Sequence, residues 1–193
     1  NAGVEFEPSG YFRKRNWFQD TEALITIGDK LAKHEVHESY LKALKWALEV
    51  VRTPMVHDRH NGLAAYAAWA EHLLRDGEFP ADNEAVLRDR HRVHDDAVGT
   101  VAEARWYGGQ FLRDMVEHVH WKMTEELLKA AGLYAGEHEL MWKIWDLAGG
   151  NGNPQAHLKL ADPAVRRQIV LIIHQARDKD AEAADHIERA LAK

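Results

Sequence analysis

The sequence has 193 residues, with 25 basic and 31 acidic side chains and a formal net charge of −6 at pH 7. A chain of this length can bury one sizeable hydrophobic core, and the negative balance argues against a nucleic-acid or anionic-membrane surface. The absence of cysteine excludes disulfide bonds, thiolate metal sites and a thiol nucleophile within this sequence. No apolar run approaches the roughly 18 residues of a membrane span, so we expect a soluble, cytoplasmic protein.

Residues 1–36 are the least regular part of the sequence, and residues 37–193 have the pattern of a helical domain. Residues 23–28 are rich in β-branched side chains and end in glycine, which predicts a short strand, and residues 4–6 are a second candidate. An isolated strand or hairpin is only marginally stable in water. Because the chain also begins without methionine, we expect it to be a fragment of a larger protein.

From residue 39 onward, apolar side chains recur with the period of a helix. Leu41, Leu44 and Leu48 form a stripe that predicts a first helix ending before Pro54. A second helix is predicted over about residues 61–75. The first part of the helical domain is therefore expected to be a pair of shorter helices.

Three long helices are predicted near residues 83–118, 121–148 and 163–191. Asp82 is the expected N-cap of the first, Gly149 closes the second, and Asp162 followed by proline begins the third. Gly108 and Gly109 indicate either a kink in the first long helix or the close approach of another backbone. The expected fold class is all-α: an antiparallel bundle of about five helices, with at most a small β-strand or hairpin near the N-terminus.

Three polar residues fall within helix stripes that are otherwise apolar: Arg105, His138 and Asp180. An isolated charge on a buried face is very costly, so each of these residues needs a partner. The simplest pairing joins Arg105 to Asp180, with His138 nearby. Such a group is either a structural ion pair between helices or part of a ligand site, unless the helix faces have been assigned wrongly.

The sequence around Arg105 combines charge, aromatic rings and two glycines. Aromatic side chains provide apolar area in a pocket wall, while an arginine or a glutamate orients the ligand; the same run also suits a close helix crossing. The candidate ligand-binding residues are Glu103, Arg105, Trp106, Tyr107, His138 and Asp180. No catalytic residue is predicted.

Several histidine pairs have the three-residue spacing that can chelate a metal on a helix. With 13 histidines in the sequence, such pairs arise readily by chance. A carboxylate-bridged di-metal bundle needs Glu-x-x-His pairs on two helices. One such pair, Glu117 and His120, lies near the end of the first long helix, and no second helix offers its mate. We therefore predict no metal site and no cofactor.

Two stretches, residues 60–70 (HNGLAAYAAWA) and residues 95–107 (DDAVGTVAEARWY), resemble the helical C-terminal part of the family of butirosin-biosynthesis protein H. The resemblance implies a papain-like N-terminal half with a cysteine nucleophile, a histidine and an aspartate. It also implies acyl transfer from a carrier protein to an amine. This sequence has no cysteine, so the resemblance implies that it is the accessory helical half, and no catalytic residue carries over.

The expected function is that of an accessory or substrate-binding helical domain of a cysteine-dependent amide-forming or amide-cleaving enzyme, not catalytic by itself. Its expected partners are a missing N-terminal domain of the same protein and a small-molecule ligand, with a homodimer as a further option. Neither nucleic acid nor membrane is expected. The alternatives are a stand-alone metal-binding helical bundle and a dimerisation module.

Overall fold

The computed structural model of the protein describes residues 4–6, 12–14, 35–150 and 153–193. The chain divides into two compact units, Asn1–Lys33 and His34–Lys193. In the first unit, β1 (Val4–Phe6) pairs antiparallel with β2 (Phe12–Lys14). This pairing confirms the small hairpin predicted near the N-terminus. The strand predicted at residues 23–28 lies outside the described residues.

The second unit is an all-α bundle, which confirms the predicted fold class. Its described residues form five α-helices: α1 (Val36–Arg52), α2 (Gly62–Leu73), α3 (Glu84–Met115), α4 (Trp121–Leu147) and α5 (Pro163–Leu191). α4 packs along both α3 and α5, while α1 and α2 pack on α5. Among the described helices, none is both long and apolar enough to cross a membrane.

A second small hairpin, which the sequence did not predict, lies between α1 and α2. β3 (Met55–Val56) pairs antiparallel with β4 (Arg59–His60). The side-chain amide of Asn61 donates to the carbonyl oxygens of Val50 and Thr53 at 2.7 and 2.8 Å. These hydrogen bonds tie the start of α2 to the end of α1.

The ends of the long helices follow from local hydrogen bonding. Asn83, not Asp82, caps α3, because its side-chain oxygen accepts from the backbone N–H of Val86 at 3.2 Å. Asp162 caps α5 as predicted and accepts from the N–H of Ala164 at 2.7 Å. α4 ends before Gly149, whose φ of +118° favours glycine.

α3 continues through Gly108 and Gly109 without interruption. A Cβ atom on Gly109 would lie 3.3 Å from the carbonyl oxygen of Ala131 on α4. The glycine therefore marks the close approach of two backbones, which was one of its two predicted roles.

The core of the bundle consists of two apolar clusters. Leu87, Ile144 and Ile173 belong to one, and Leu44, Leu127 and Ile187 belong to the other. α3, α4 and α5 contribute to both clusters. The three long helices therefore form the frame on which side chains of the candidate site are held.

Candidate functional site

Arg105 lies inside the bundle and contacts two acidic side chains. Its Nη2 lies 2.5 Å from Oδ2 of Asp180 on α5, and its Nε lies 3.1 Å from Oε2 of Glu137 on α4. Both carboxylates are almost fully buried, and the arginine side chain is 24% exposed. The structure thus shows the pairing of Arg105 with Asp180 that the sequence predicted, and it adds a second acid.

Glu137 is the acidic residue that the sequence analysis missed. It is fully buried, whereas its neighbour His138, which was assigned to the apolar face of α4, is only partly buried. Residues three and four positions after Tyr134 lie on nearly the same helix face. The pattern therefore could not separate residue 137 from residue 138, and only His138 was assigned to the apolar face.

Tyr66 connects the two carboxylates. Its hydroxyl group is hydrogen-bonded to Oε1 of Glu137 and lies 3.2 Å from Oδ2 of Asp180. Nη2 of Arg105 also donates to the tyrosine oxygen at 3.4 Å. Tyr66, Arg105, Glu137 and Asp180 are called the polar cluster below; they come from α2, α3, α4 and α5 in turn.

Burial and charge change the proton affinities in the polar cluster. Burial, together with the negative charge of Asp180, raises the pKa of Glu137 to about 7, although Arg105 opposes this shift. Burial also raises the pKa of the Tyr66 hydroxyl well above its ordinary value. Burial acts to lower the pKa of Arg105, but Asp180, Tyr66 and Glu137 together outweigh it and raise that pKa. Near neutral pH, Arg105 is therefore charged, Tyr66 is neutral, and Glu137 is partly protonated.

The polar cluster lies against a cavity of about 740 Å³, called the main cavity. The cavity is lined by Trp46, Ala47, Val50 and Val51 of α1, by Asn61 beside α2, by Gly62, Ala65, Tyr66 and Trp69 of α2, by Asp96, Ala97, Thr100, Val101 and Arg105 of α3, by Tyr134 of α4 and by Asp180 of α5. Most of these side chains are apolar or aromatic. Among the described residues, the charged lining consists of Asp96, Arg105 and Asp180.

One atom of this lining lacks a partner. Oδ1 of Asp180 is buried and has no hydrogen-bond partner among the described residues, although Oδ2 of the same carboxylate is bound by Arg105. Buried carboxylate oxygens are normally hydrogen-bonded, because an unsatisfied one loses its hydration without compensation. Asp180 is only 1% exposed, so this oxygen faces the interior of the bundle rather than open solvent.

Four of the predicted site residues lie away from the main cavity. Glu103, Trp106 and Tyr107 are exposed on α3, because each residue turns a helix by about 100° and carries these side chains off the face of Arg105. His138 hydrogen-bonds through Nδ1 with the carbonyl oxygen of Ala102 at 2.9 Å. Its Nε2 accepts from the indole of Trp142 at 3.0 Å. Of the predicted group, Arg105 and Asp180 line the main cavity, and the prediction of a ligand site stays a prediction.

The histidine pairs with three-residue spacing do not assemble into a metal site in the part of the chain that the structure describes. Within that part, no three histidine, aspartate or glutamate side chains are placed to hold a metal ion. The ring of His91 hydrogen-bonds with the carbonyl oxygen of Ala148 at 3.0 Å. Nδ1 of His94 accepts from the indole of Trp69 at 3.3 Å.

No protein-family model matches this chain, and neither the curated proteins nor the solved structures contain a significant match. The resemblance to the family of butirosin-biosynthesis protein H therefore stays a prediction.

Proposed function

We propose that residues 34–193 form a small-molecule-binding domain whose ligand occupies the main cavity. The observation that carries this proposal is the main cavity itself, whose mostly apolar and aromatic lining includes the charged side chain of Arg105, which is 24% exposed. A placed charged group in an apolar wall can orient a ligand, and the apolar side chains around it provide contact area.

The size and lining of the main cavity support this function. Small-molecule sites typically measure about 300–1,000 Å³ and are mostly apolar with a few placed polar groups. The main cavity, at about 740 Å³, is within this range. Trp46 lines it yet is 63% exposed. A ligand beside Trp46 would bury apolar surface that is now in water, which favours binding.

The wider role that we propose is substrate binding within a cysteine-dependent amide-forming or amide-cleaving enzyme. The family resemblance supports this role, because both of its stretches contribute to the main cavity: residues 60–70 supply Tyr66 and Trp69, and residues 95–107 supply Asp96 and Arg105. In such an enzyme, the catalytic cysteine would belong to a separate domain, and this domain would hold the substrate.

A fragment-binding experiment tests the proposal. The ¹⁵N-labelled chain is titrated with small aromatic fragments, and the indole N–H resonances of its tryptophans are followed by NMR. Two exposed tryptophans give a matched pair of variants: Trp46 lines the cavity, and Trp121, which is 74% exposed, does not. We expect Trp46→Ala to weaken fragment binding by about tenfold, a loss that corresponds to the apolar surface removed.

Trp121→Ala is the control and should bind fragments as the unmodified chain does. Equal affinity of both variants would show that the fragments bind elsewhere and would refute the proposal. Failure of every fragment to bind at millimolar concentration would refute it too, because fragments of this size reach millimolar affinity in well-formed pockets.

A further inference from the structure

The guanidinium group of Arg105 is bound on one side and leaves its other side to the main cavity. Nε and Nη2 donate hydrogen bonds to Glu137 and Asp180, whose side chains are almost fully buried. Among the described residues, no acceptor is hydrogen-bonded to Nη1. The arginine side chain is nevertheless 24% exposed and lines the main cavity. The exposed part of the guanidinium is therefore its Nη1 side.

The orientation of this free donor is fixed by its neighbours. Cζ of Arg105 lies 5.3 Å from the centre of the Tyr134 ring, which covers one face of the guanidinium. Arginine presents its N–H groups in a rigid planar fork, so the hydrogen bonds of Nε and Nη2 also set the direction of Nη1. The cavity wall thus contains a donor that does not have to be ordered when a ligand binds, which favours affinity.

We propose that the main cavity binds an uncharged molecule with an apolar body and a carbonyl oxygen, and that this oxygen accepts a hydrogen bond from Nη1 of Arg105. The apolar body contacts the aromatic and aliphatic side chains that α1 and α2 contribute, among them Trp46 and Trp69. Ketones, esters and amides belong to this class. This inference rests on the proposed small-molecule function and adds the chemical class of the ligand.

The free N–H groups of Nη1 are the reason why the ligand carries an acceptor. A molecule that fills the cavity beside Arg105 removes Nη1 from water. Unless the molecule accepts a hydrogen bond in return, the lost hydration is not compensated. A site with a placed donor therefore discriminates strongly against an analogue that lacks the matching acceptor.

The charges of the cavity favour a neutral acceptor over a carboxylate. The positive charge of Arg105 is already balanced by Asp180, and Glu137 adds negative charge whenever it is ionised. Asp96, which is exposed in the described lining, is also negative. A ligand carboxylate would lose its hydration without meeting a net positive charge. A cation would approach the guanidinium itself, since the oxygens of Glu137 and Asp180 are buried.

Four probes of nearly the same shape separate the ligand classes: acetophenone, benzoate, benzamidinium and 2-phenylpropene. The first is a neutral acceptor, the second an anion and the third a cation, while the fourth has a methylene group in place of the carbonyl oxygen. Binding is followed at pH 7 through the indole N–H resonances of the ¹⁵N-labelled 193-residue chain. We expect acetophenone to bind at least about tenfold more tightly than benzoate and benzamidinium, as the unfavourable burial of their charges allows.

The carbonyl stretch of bound acetophenone reports the hydrogen bond without any substitution in the protein. The infrared difference spectrum between ¹²C- and ¹³C-labelled acetophenone isolates this band. A single fixed donor should give a narrow band at a lower wavenumber than in hexane. Exchanging water instead gives the broad band seen in aqueous solution, and a cavity without a donor gives the hexane position. Either of these two results would overturn the inference.

Three variants identify the donor. Arg105→Lys keeps a cation for Asp180, but its single nitrogen cannot also take the place of Nη1. It should weaken acetophenone binding by about tenfold, as the loss of one hydrogen bond to a charged group allows, and leave 2-phenylpropene binding unchanged. The matched controls are Thr100→Val and Tyr134→Phe, which remove two other hydroxyl groups of the lining. Both controls should keep the acetophenone affinity and the shifted band.

Each result has its own meaning. Equal effects of Arg105→Lys on acetophenone and 2-phenylpropene, or loss of the shifted band in either control, would overturn the assigned donor and leave the small-molecule function standing. Tighter binding of benzoate or benzamidinium would overturn the assigned ligand class. If Arg105→Lys does not fold, a narrow shifted band that persists in both controls supports the inference by itself. Failure of all four probes to bind would overturn this inference and the proposed function together.

Discussion

Nη2 of Arg105 lies 2.5 Å from Oδ2 of Asp180, and this contact joins α3 to α5 across the interior of the bundle. Asp180 is 1% exposed, so neither water nor salt can replace its partner. Burying charges is favourable only when they are paired and hydrogen-bonded. The stability of the bundle should therefore depend on both members of this pair being present.

A double-mutant cycle measures that dependence. Arg105→Ala should lower the free energy of unfolding by about 3–5 kcal/mol, because it leaves the buried Asp180 without its cation. Asp180→Ala should lower it by less, because Glu137 still pairs with Arg105. Arg105→Ala should be the more damaging, since it leaves two carboxylates without their cation. The double variant should lower the free energy of unfolding by much less than the sum of the two single changes, as measured by urea denaturation. Small and additive effects would contradict a buried pair.

The long helices and the Arg105–Asp180 pair could be predicted from the sequence because their signals are local. Asp162 followed by proline marks the start of α5 within two residues. A charged residue in an apolar stripe is likewise visible within one helix. The contact of Tyr66 could not be predicted in this way, because its partner Glu137 lies 71 residues further along the chain. Nothing in the pattern of α2 indicates which residue its hydroxyl will meet.

The main cavity could not be predicted for a related reason. Periodicity shows which face of each helix is buried, but it does not show where neighbouring helices leave space between them. Trp106 and Tyr107 were grouped with Arg105 because they are adjacent in sequence. The helical turn of about 100° per residue separates them in space, and the cavity instead takes Trp46 and Trp69 from other helices.

The junction between α1 and α2 gives a prediction about backbone geometry. Gly62 has a φ of +53°, and a Cβ atom there would lie 2.1 Å from the carbonyl oxygen of Val51. We expect Gly62→Ala to lower the free energy of unfolding by more than about 2 kcal/mol, through both backbone strain and the clash. Because Gly62 lines the main cavity, this variant should also lose fragment binding.

Gly99 is the matched control for that substitution. It lies within α3, and nothing lies within 4 Å of the position of an added Cβ atom. Gly99→Ala should raise the free energy of unfolding by up to about 1 kcal/mol, because alanine is the better helix former. Urea denaturation of both variants tests the pair; a tolerated alanine at residue 62 would contradict the described junction.

Glu137 should make stability fall as pH rises. Its ordinary pKa is 4.5, and burial, followed by the charge of Asp180, raises it to about 7 in the folded protein. Between these two pH values the folded protein keeps a proton that the unfolded chain has lost. The contribution is therefore complete below pH 4.5 and is lost as pH rises to about 7, with a total on the order of a few kcal/mol.

Glu137→Gln tests this contribution because the amide resembles the protonated acid but cannot ionise. The stability of the unmodified protein minus that of the variant should decrease with rising pH across this window and become level above it. Urea denaturation over a pH series gives the difference. A difference that increases with pH would mean that Glu137 is held ionised by Arg105 in the folded state.

His94 should make the stability of the fold rise with pH, over a pH range that overlaps the range in which Glu137 makes it fall. Burial, followed by repulsion from His91, lowers the pKa of His94 from 6.5 to about 4. The unfolded chain therefore takes up a proton below pH 6.5 that the folded protein does not accept until about pH 4. The stabilisation is complete above pH 6.5 and is lost as pH falls, by about 3 kcal/mol in total.

The variant His94→Gln should separate the contributions of His94 and Glu137 to the pH dependence of stability. Glutamine stays neutral and can still accept from the indole of Trp69, as Nδ1 of His94 does at 3.3 Å. Between about pH 4.5 and 6.5, the effects of His94 and Glu137 offset each other in the unmodified protein. Removing His94 should leave the Glu137 effect, so that stability declines more steeply with rising pH. A His94→Gln profile identical to that of the unmodified protein would show that His94 titrates as a solvated histidine does.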